Sequence, residues 1–119
     1  MAGFQEKLVG YGVNYQITMA RFVNSEKLYL RCLDMLIQDN NLEKLGQALE
    51  AGDLHAAFEA AHTLKGVVAN MGLTPLHKAV DHITEPLRAG EPRDYSADYQ
   101  AVVAEFARVL DLHRALKED

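Results

Sequence analysis

The stretch DLHAAFEAAHTLKGVVANMG, residues 53–72, decides how this chain reads. At about 100° per residue, Ala57, Ala60, Ala61, Leu64, Val67, Val68 and Met71 fall on one broad side, the mark of an amphipathic helix with that side buried. Asp53 is placed to cap its start and Gly72 to end it. The opposite side is unusual. His62 lies roughly opposite the middle of the buried side, and His55, Phe58, Lys65, Gly66 and Ala69 share its face, because residues three, four and seven apart are neighbours on a helix surface. A merely solvated face carries Glu, Lys and Gln more often than Phe, Gly and Ala. A mid-helix glycine costs about 1 kcal/mol relative to alanine, and nothing around Gly66 marks a helix end. Its missing side chain lets another molecule's surface approach the imidazole, while Lys65 brings a positive charge beside it. Ala69 extends the clearance and Phe58 supplies apolar contact area.

Outward from this helix, nearly every stretch after Gly12 repeats apolar residues at three- and four-residue spacing, and alternating strand patterns are lacking. Asn14 can cap a short helix carrying Ile17 and Phe22. Asn24, followed by Ser25 and Glu26, can cap the next, with Leu28, Cys32, Met35 and Leu36 as its stripe. Asp39-Asn40-Asn41 marks a break, after which Leu42, Leu45 and Leu49 predict a helix ending at Gly52. Beyond Gly72, Thr74 as cap and Pro75 in the first turn open another helix, in which Pro86 should loosen the last turn. A long final helix carries Val102, Val103, Phe106, Val109, Leu110 and Leu116 on one side. The expected class is therefore all-α: an antiparallel up-and-down four-helix bundle preceded by short N-terminal helical segments. Residues 1–119 are expected to form one domain, with the bundle core spanning about residues 24–117.

The 119 residues, 49% of them hydrophobic, suffice for one core without disulfides or metals. A single cysteine, Cys32, and the lack of a long apolar run or leader point to a reducing, cytoplasmic setting with no membrane association. The net charge of −5, with scattered Lys and Arg, argues against nucleic acid as a partner. Neither G-x-x-x-x-G-K-[ST] nor G-x-G-x-x-G is present, so nucleotide binding has no visible basis.

What the face of His62 suits is phosphoryl transfer. Neutral imidazole is a nucleophile near pH 7 that needs no separate base. The transition state spreads negative charge over three equatorial oxygens, so positioning and positive charge do most of the catalysis, and Lys65 is the residue to supply that charge. The phosphoryl group and any magnesium are expected to come with a partner, and no metal or cofactor site of the chain's own is expected. Of the other histidines, His113 reads as a core or rim residue and His77 and His82 as surface residues.

The run Ala60-Ala61-His62-Thr63-Leu64-Lys65-Gly66 resembles the A-A-H-T-L-K-G signature of histidine-containing phosphotransfer (HPt) domains. Gly12-Val13-Asn14, Arg21-Phe22, Ser25 to Tyr29 and Ala48 to Asp53 resemble the same family more loosely. The resemblance implies a four-helix bundle whose exposed histidine accepts a phosphoryl group from a receiver-domain aspartate and passes it to another, without ATP-dependent kinase activity of its own. By the same resemblance His62 is the phosphorylated residue, Lys65 stabilises the phosphoryl group and Gly66 gives the clearance for docking. The partners implied are receiver domains of response regulators or of a hybrid histidine kinase, and the magnesium is implied to be the receiver's. Many members carry Glu or Gln on the following helix, bonded to the histidine ring. That register puts Thr84 here, with Glu85 adjacent, and makes Thr84 the candidate ring partner. Met1 and the bundle-sized length favour a free-standing protein, and a monomer is expected.

Two other functions fit parts of the pattern. Glu59-x-x-His62 and His82-x-x-Glu85 prompt a metal-binding carboxylate and histidine bundle, although only one motif has the required order and His62 phases away from the core. A scaffold that docks receivers without carrying phosphate is the other, against which stands the intact set of His62, Lys65 and Gly66.

Overall fold

In the computed structural model, which describes residues 3–118, seven helices follow one another, with no strand among the described residues: α1 (Phe4–Tyr11), α2 (Tyr15–Arg21), α3 (Glu26–Gln38), α4 (Asn41–Glu50), α5 (Leu54–Asn70), α6 (Thr74–Arg88) and α7 (Ser96–Lys117). Short polar side chains start several of them by satisfying amides that have no partner within the helix. Asn14 accepts from the Ile17 amide at 3.2 Å, Ser25 from Leu28 at 3.1 Å and Asp53 from Ala56 at 3.0 Å. The cap of α3 is thus Ser25, one residue later than the sequence suggests. Asn24 instead sits in the turn at φ +58°. The α4–α5 and α5–α6 joints turn at Gly52 and Gly72, whose φ values of +72° and +69° suit a residue without Cβ.

Helices α3 and α4 are one arm of the bundle broken at Asp39, whose carboxylate takes the Asn41 amide at 2.7 Å. The α3 half lies beside the C-terminal half of α5, where Tyr29 donates to the Met71 carbonyl at 2.8 Å. The α4 half lies beside the N-terminal half of α5, so the arm and α5 run antiparallel. From α5 the chain turns back into α6, and from α6 into α7, whose start meets α4 and whose end meets α3. Tyr99 donates to the Leu42 carbonyl at 3.2 Å, and Lys117 reaches Asp34 at 3.0 Å. This is the expected up-and-down four-helix bundle. Its core is drawn from Leu33, Leu36, Leu45, Leu64, Val80 and Val109, among others. Helices α1 and α2 are the expected N-terminal pieces. Lys7 of α1 donates to the Ala115 carbonyl at 2.6 Å, and the buried Tyr11 hydroxyl accepts from the Leu76 amide at 3.2 Å. Burial pushes the Tyr11 phenol up to about 12.

One further local reading differs from expectation. The buried stripe of α3 is Tyr29, Leu33 and Leu36, whereas Met35 is 66% exposed. Apolar residues surround most of α3, so several three-and-four stripes satisfy the pattern and only its neighbours decide among them. Helix α6 ends at Arg88 with Pro86 in its last turn, the position the sequence gives it.

Candidate functional site on helix α5

Helix α5 is held at both ends, which fixes the position of everything along it. The Asp53 cap holds the start. At the other end Arg21 donates to the carbonyls of Ala69 at 3.1 Å and Asn70 at 3.2 Å, a cation on the negative end of the helix. Between these anchors Ala57, Ala60 and Ala61 are buried, and side chains this small allow α4 and α6 to pack close on either flank. His62 is left on the outside, exposed at mid-helix.

The imidazole stacks on Phe58, the ring centroids 5.3 Å apart and the planes 20° from parallel. The Arg88 guanidinium of α6 stands over the Phe58 ring, 5.1 Å from its centroid. Phe58 is therefore a half-buried platform that holds the His62 ring by one face. One turn on from His62, Gly66 is exposed, and a Cβ built there would meet nothing within 4 Å. The fold itself has no use for the missing side chain. At Gly46, the other mid-helix glycine of the bundle, a Cβ would fall 2.5 Å from the Tyr99 hydroxyl. Gly46 is small because Tyr99 packs on it, and Gly66 is small with nothing of its own chain above it.

Lys65, the positive charge the sequence places beside the imidazole, is paired with α6. Its ammonium lies 2.7 Å from an Asp81 carboxylate oxygen and 3.4 Å from one of Glu85, both on α6. The bond to Asp81 first, and Glu85 after it, raises the Lys65 ammonium above the ordinary lysine value, and Lys65 in turn lowers the Asp81 carboxyl. The same Glu85 oxygen reaches Arg88 at 3.4 Å.

The structure thus brings His62, Phe58, Lys65 and Gly66 together along one face, with the exposed Ala69 one turn farther. His55 shares this side of the helix, exposed and paired with Glu59 at 3.2 Å. Thr84 is the correction. It is completely buried, and its hydroxyl donates to the Val80 carbonyl of its own helix at 2.6 Å, with no hydrogen bond to His62. A threonine within a helix readily bonds back to the carbonyl four residues earlier, and its short side chain leaves the hydroxyl inside the bundle. The face of α6 that meets α5 beside the site is instead Asp81, Glu85 and Arg88. Their spacing of four and three aligns them on one side, but nothing in the sequence says which helix that side meets. On the other flank a groove runs between α3 and α5, lined by Cys32, Met35, Gly66, Val67 and Asn70. Exposed Met35 therefore belongs to the surroundings of the site.

The residues behind the metal reading do not converge. Glu59 pairs with His55, Glu85 with Lys65 and Arg88, and His82 with Asp98 at 3.3 Å. No group of three or more His, Cys, Asp or Glu placed to hold a metal ion occurs among the described residues. His113 lies at the rim of the core, bonded to Asp34 of α3. No helix among the described residues is long and apolar enough to cross a membrane.

The chain is thus a four-helix bundle that presents His62 exposed at mid-helix, with Lys65 and Gly66 just beyond it. The chain matches the Hpt domain over residues 33–117 and belongs to that family. Its role is accordingly phosphotransfer in phosphorelay signalling. No curated protein and no solved structure matches the chain significantly.

Proposed function

We propose that this protein is a phosphocarrier in which His62 takes a phosphoryl group from the phospho-aspartate of one receiver domain and passes it to the aspartate of another. The observation that carries the reading is the exposed imidazole stacked on Phe58, next to a glycine above which the chain's own fold places nothing. In the forward step a ring nitrogen attacks phosphorus, the N–P bond forms as the aspartyl O–P bond breaks, and the ring proton leaves to solvent. The reverse sequence on a second receiver restores the imidazole.

Phe58 orients the ring for in-line attack, and Lys65 offers charge to the equatorial oxygens. Gly66 and Ala69 leave room for the incoming surface, while Phe58 and His55 border it. The magnesium belongs to the receiver, and no group of this chain is assigned to it. The chain acts as a cytoplasmic monomer that binds no nucleotide, and residues 1–119 form a single domain.

The test is incubation with a receiver charged with labelled phosphate. The wild type should acquire label that is acid-labile and base-stable, and His62→Gln should abolish it with helix content unchanged. Label that survives the substitution would refute the assignment.

A further inference from the structure

Resting on that reading of His62, we propose that Asp81 and Glu85 are positioning residues that hold Lys65 and Arg88 in reserve and so keep the phosphohistidine ready to give up its phosphoryl group. The observation is the arrangement of charge around the imidazole. Lys65, the cation three residues beyond it, is bound by Asp81 at 2.7 Å and Glu85 at 3.4 Å. Arg88, the cation over the Phe58 platform, is bound by the same Glu85 at 3.4 Å. Two cations and two carboxylates sum to zero, so the unphosphorylated site offers no net positive charge.

A phosphoryl group on His62 brings roughly two negative charges into this set. It can recruit Lys65 only in competition with Asp81, which holds the shorter bond, and with Glu85. A carrier that held its cargo with uncompensated cations would bind it well and release it poorly, because stabilising the phosphorylated state lowers its tendency to transfer. With Asp81 and Glu85 present, the cations assist while charge is spread over the equatorial oxygens in the transition state and are drawn back afterwards. These residues touch no reacting atom and act through Lys65 and Arg88.

The experiment is the equilibrium distribution of label between this protein and one receiver, measured for wild type, Asp81→Asn, Glu85→Gln and the double variant. Removing one competing surface pair is worth a factor of up to about five, so each single variant should shift the distribution toward phosphohistidine by about that factor, and the double variant further. Asp81→Glu should restore the wild-type distribution. In a Lys65→Ala background, Asp81→Asn should shift it much less, because the pair is already gone. An unchanged distribution, a shift toward the receiver, or an equal shift with and without Lys65 would overturn the proposal. A wild type that takes label on His62 while the α6 variants change nothing sinks this inference alone. A wild type that takes no label on His62 sinks the phosphocarrier reading, and this inference with it.

Discussion

Replacing Gly66 by alanine should make the protein more stable and a poorer carrier. In a helix interior alanine is favoured over glycine by about 0.8–1 kcal/mol, chiefly because glycine loses more backbone freedom on folding. That gain is ordinarily offset by whatever the new methyl group strikes. At Gly66 a Cβ meets nothing within 4 Å, and the residue lies in α5, outside the positive-φ glycines, so the full gain should appear. For a chain of this size it corresponds to a rise in melting temperature of about 4 °C. Gly46→Ala is the internal control. It receives the same helix-propensity gain, but its Cβ falls 2.5 Å and 2.8 Å from the Tyr99 hydroxyl oxygen and its ring carbon, so Tyr99 must move and give up its bond to the Leu42 carbonyl. That variant should be destabilised by about 1–3 kcal/mol. Urea or thermal unfolding followed by helix circular dichroism reads both values. Phosphoryl transfer from a charged receiver should then fall modestly for Gly66→Ala and steeply for Gly66→Gln, whose long side chain would occupy the docking space while leaving the fold intact. If Gly66→Ala is destabilising, the open space above this residue is illusory. If Gly66→Gln transfers at the wild-type rate, that space has no role in docking.

Three further outcomes follow from the same geometry. Lys65→Ala should slow transfer at saturating receiver more than it weakens receiver binding, since charge at the phosphoryl group acts mainly in the transition state; equal loss in both would make Lys65 a docking residue. Thr84→Val, which replaces the buried hydroxyl by a methyl of similar size, should cost about 1 kcal/mol of stability for the lost bond to Val80 and leave transfer unchanged; a transfer defect without loss of stability would restore Thr84 as a ring partner. Asp34 is held below the ordinary carboxylate value by its bonds from His113 first and Lys117 second, so its contribution is present above the unfolded value near 3.8 and lost as pH falls through the native one. Asp34→Asn should therefore flatten the acid limb of the stability profile below about pH 4, and an unaltered profile would show that the α3–α7 pairing contributes nothing.

Helical phase was enough to place several of these residues. Because side chains on a helix advance by a constant angle, the seven apolar positions between Ala57 and Met71 fix the inward direction of α5, and His62 must then face out whatever packs on the other side. The same rule, with capping chemistry at Asn14 and Asp53 and turns at Gly52 and Gly72, suffices for the all-α class and most helix ends, since these depend on residues near one another in the chain. Relations across helices are another matter, because they depend on which faces meet. The mid-helix glycines at 46 and 66 look alike in sequence, and only the presence of Tyr99 over one and of open space over the other separates their causes. The partners of Lys65, the retreat of the Thr84 hydroxyl onto Val80 and the exposure of Met35 were likewise decided by tertiary packing. One chain position specifies direction around its own helix axis. What stands at the end of that direction is set by helices tens of residues away.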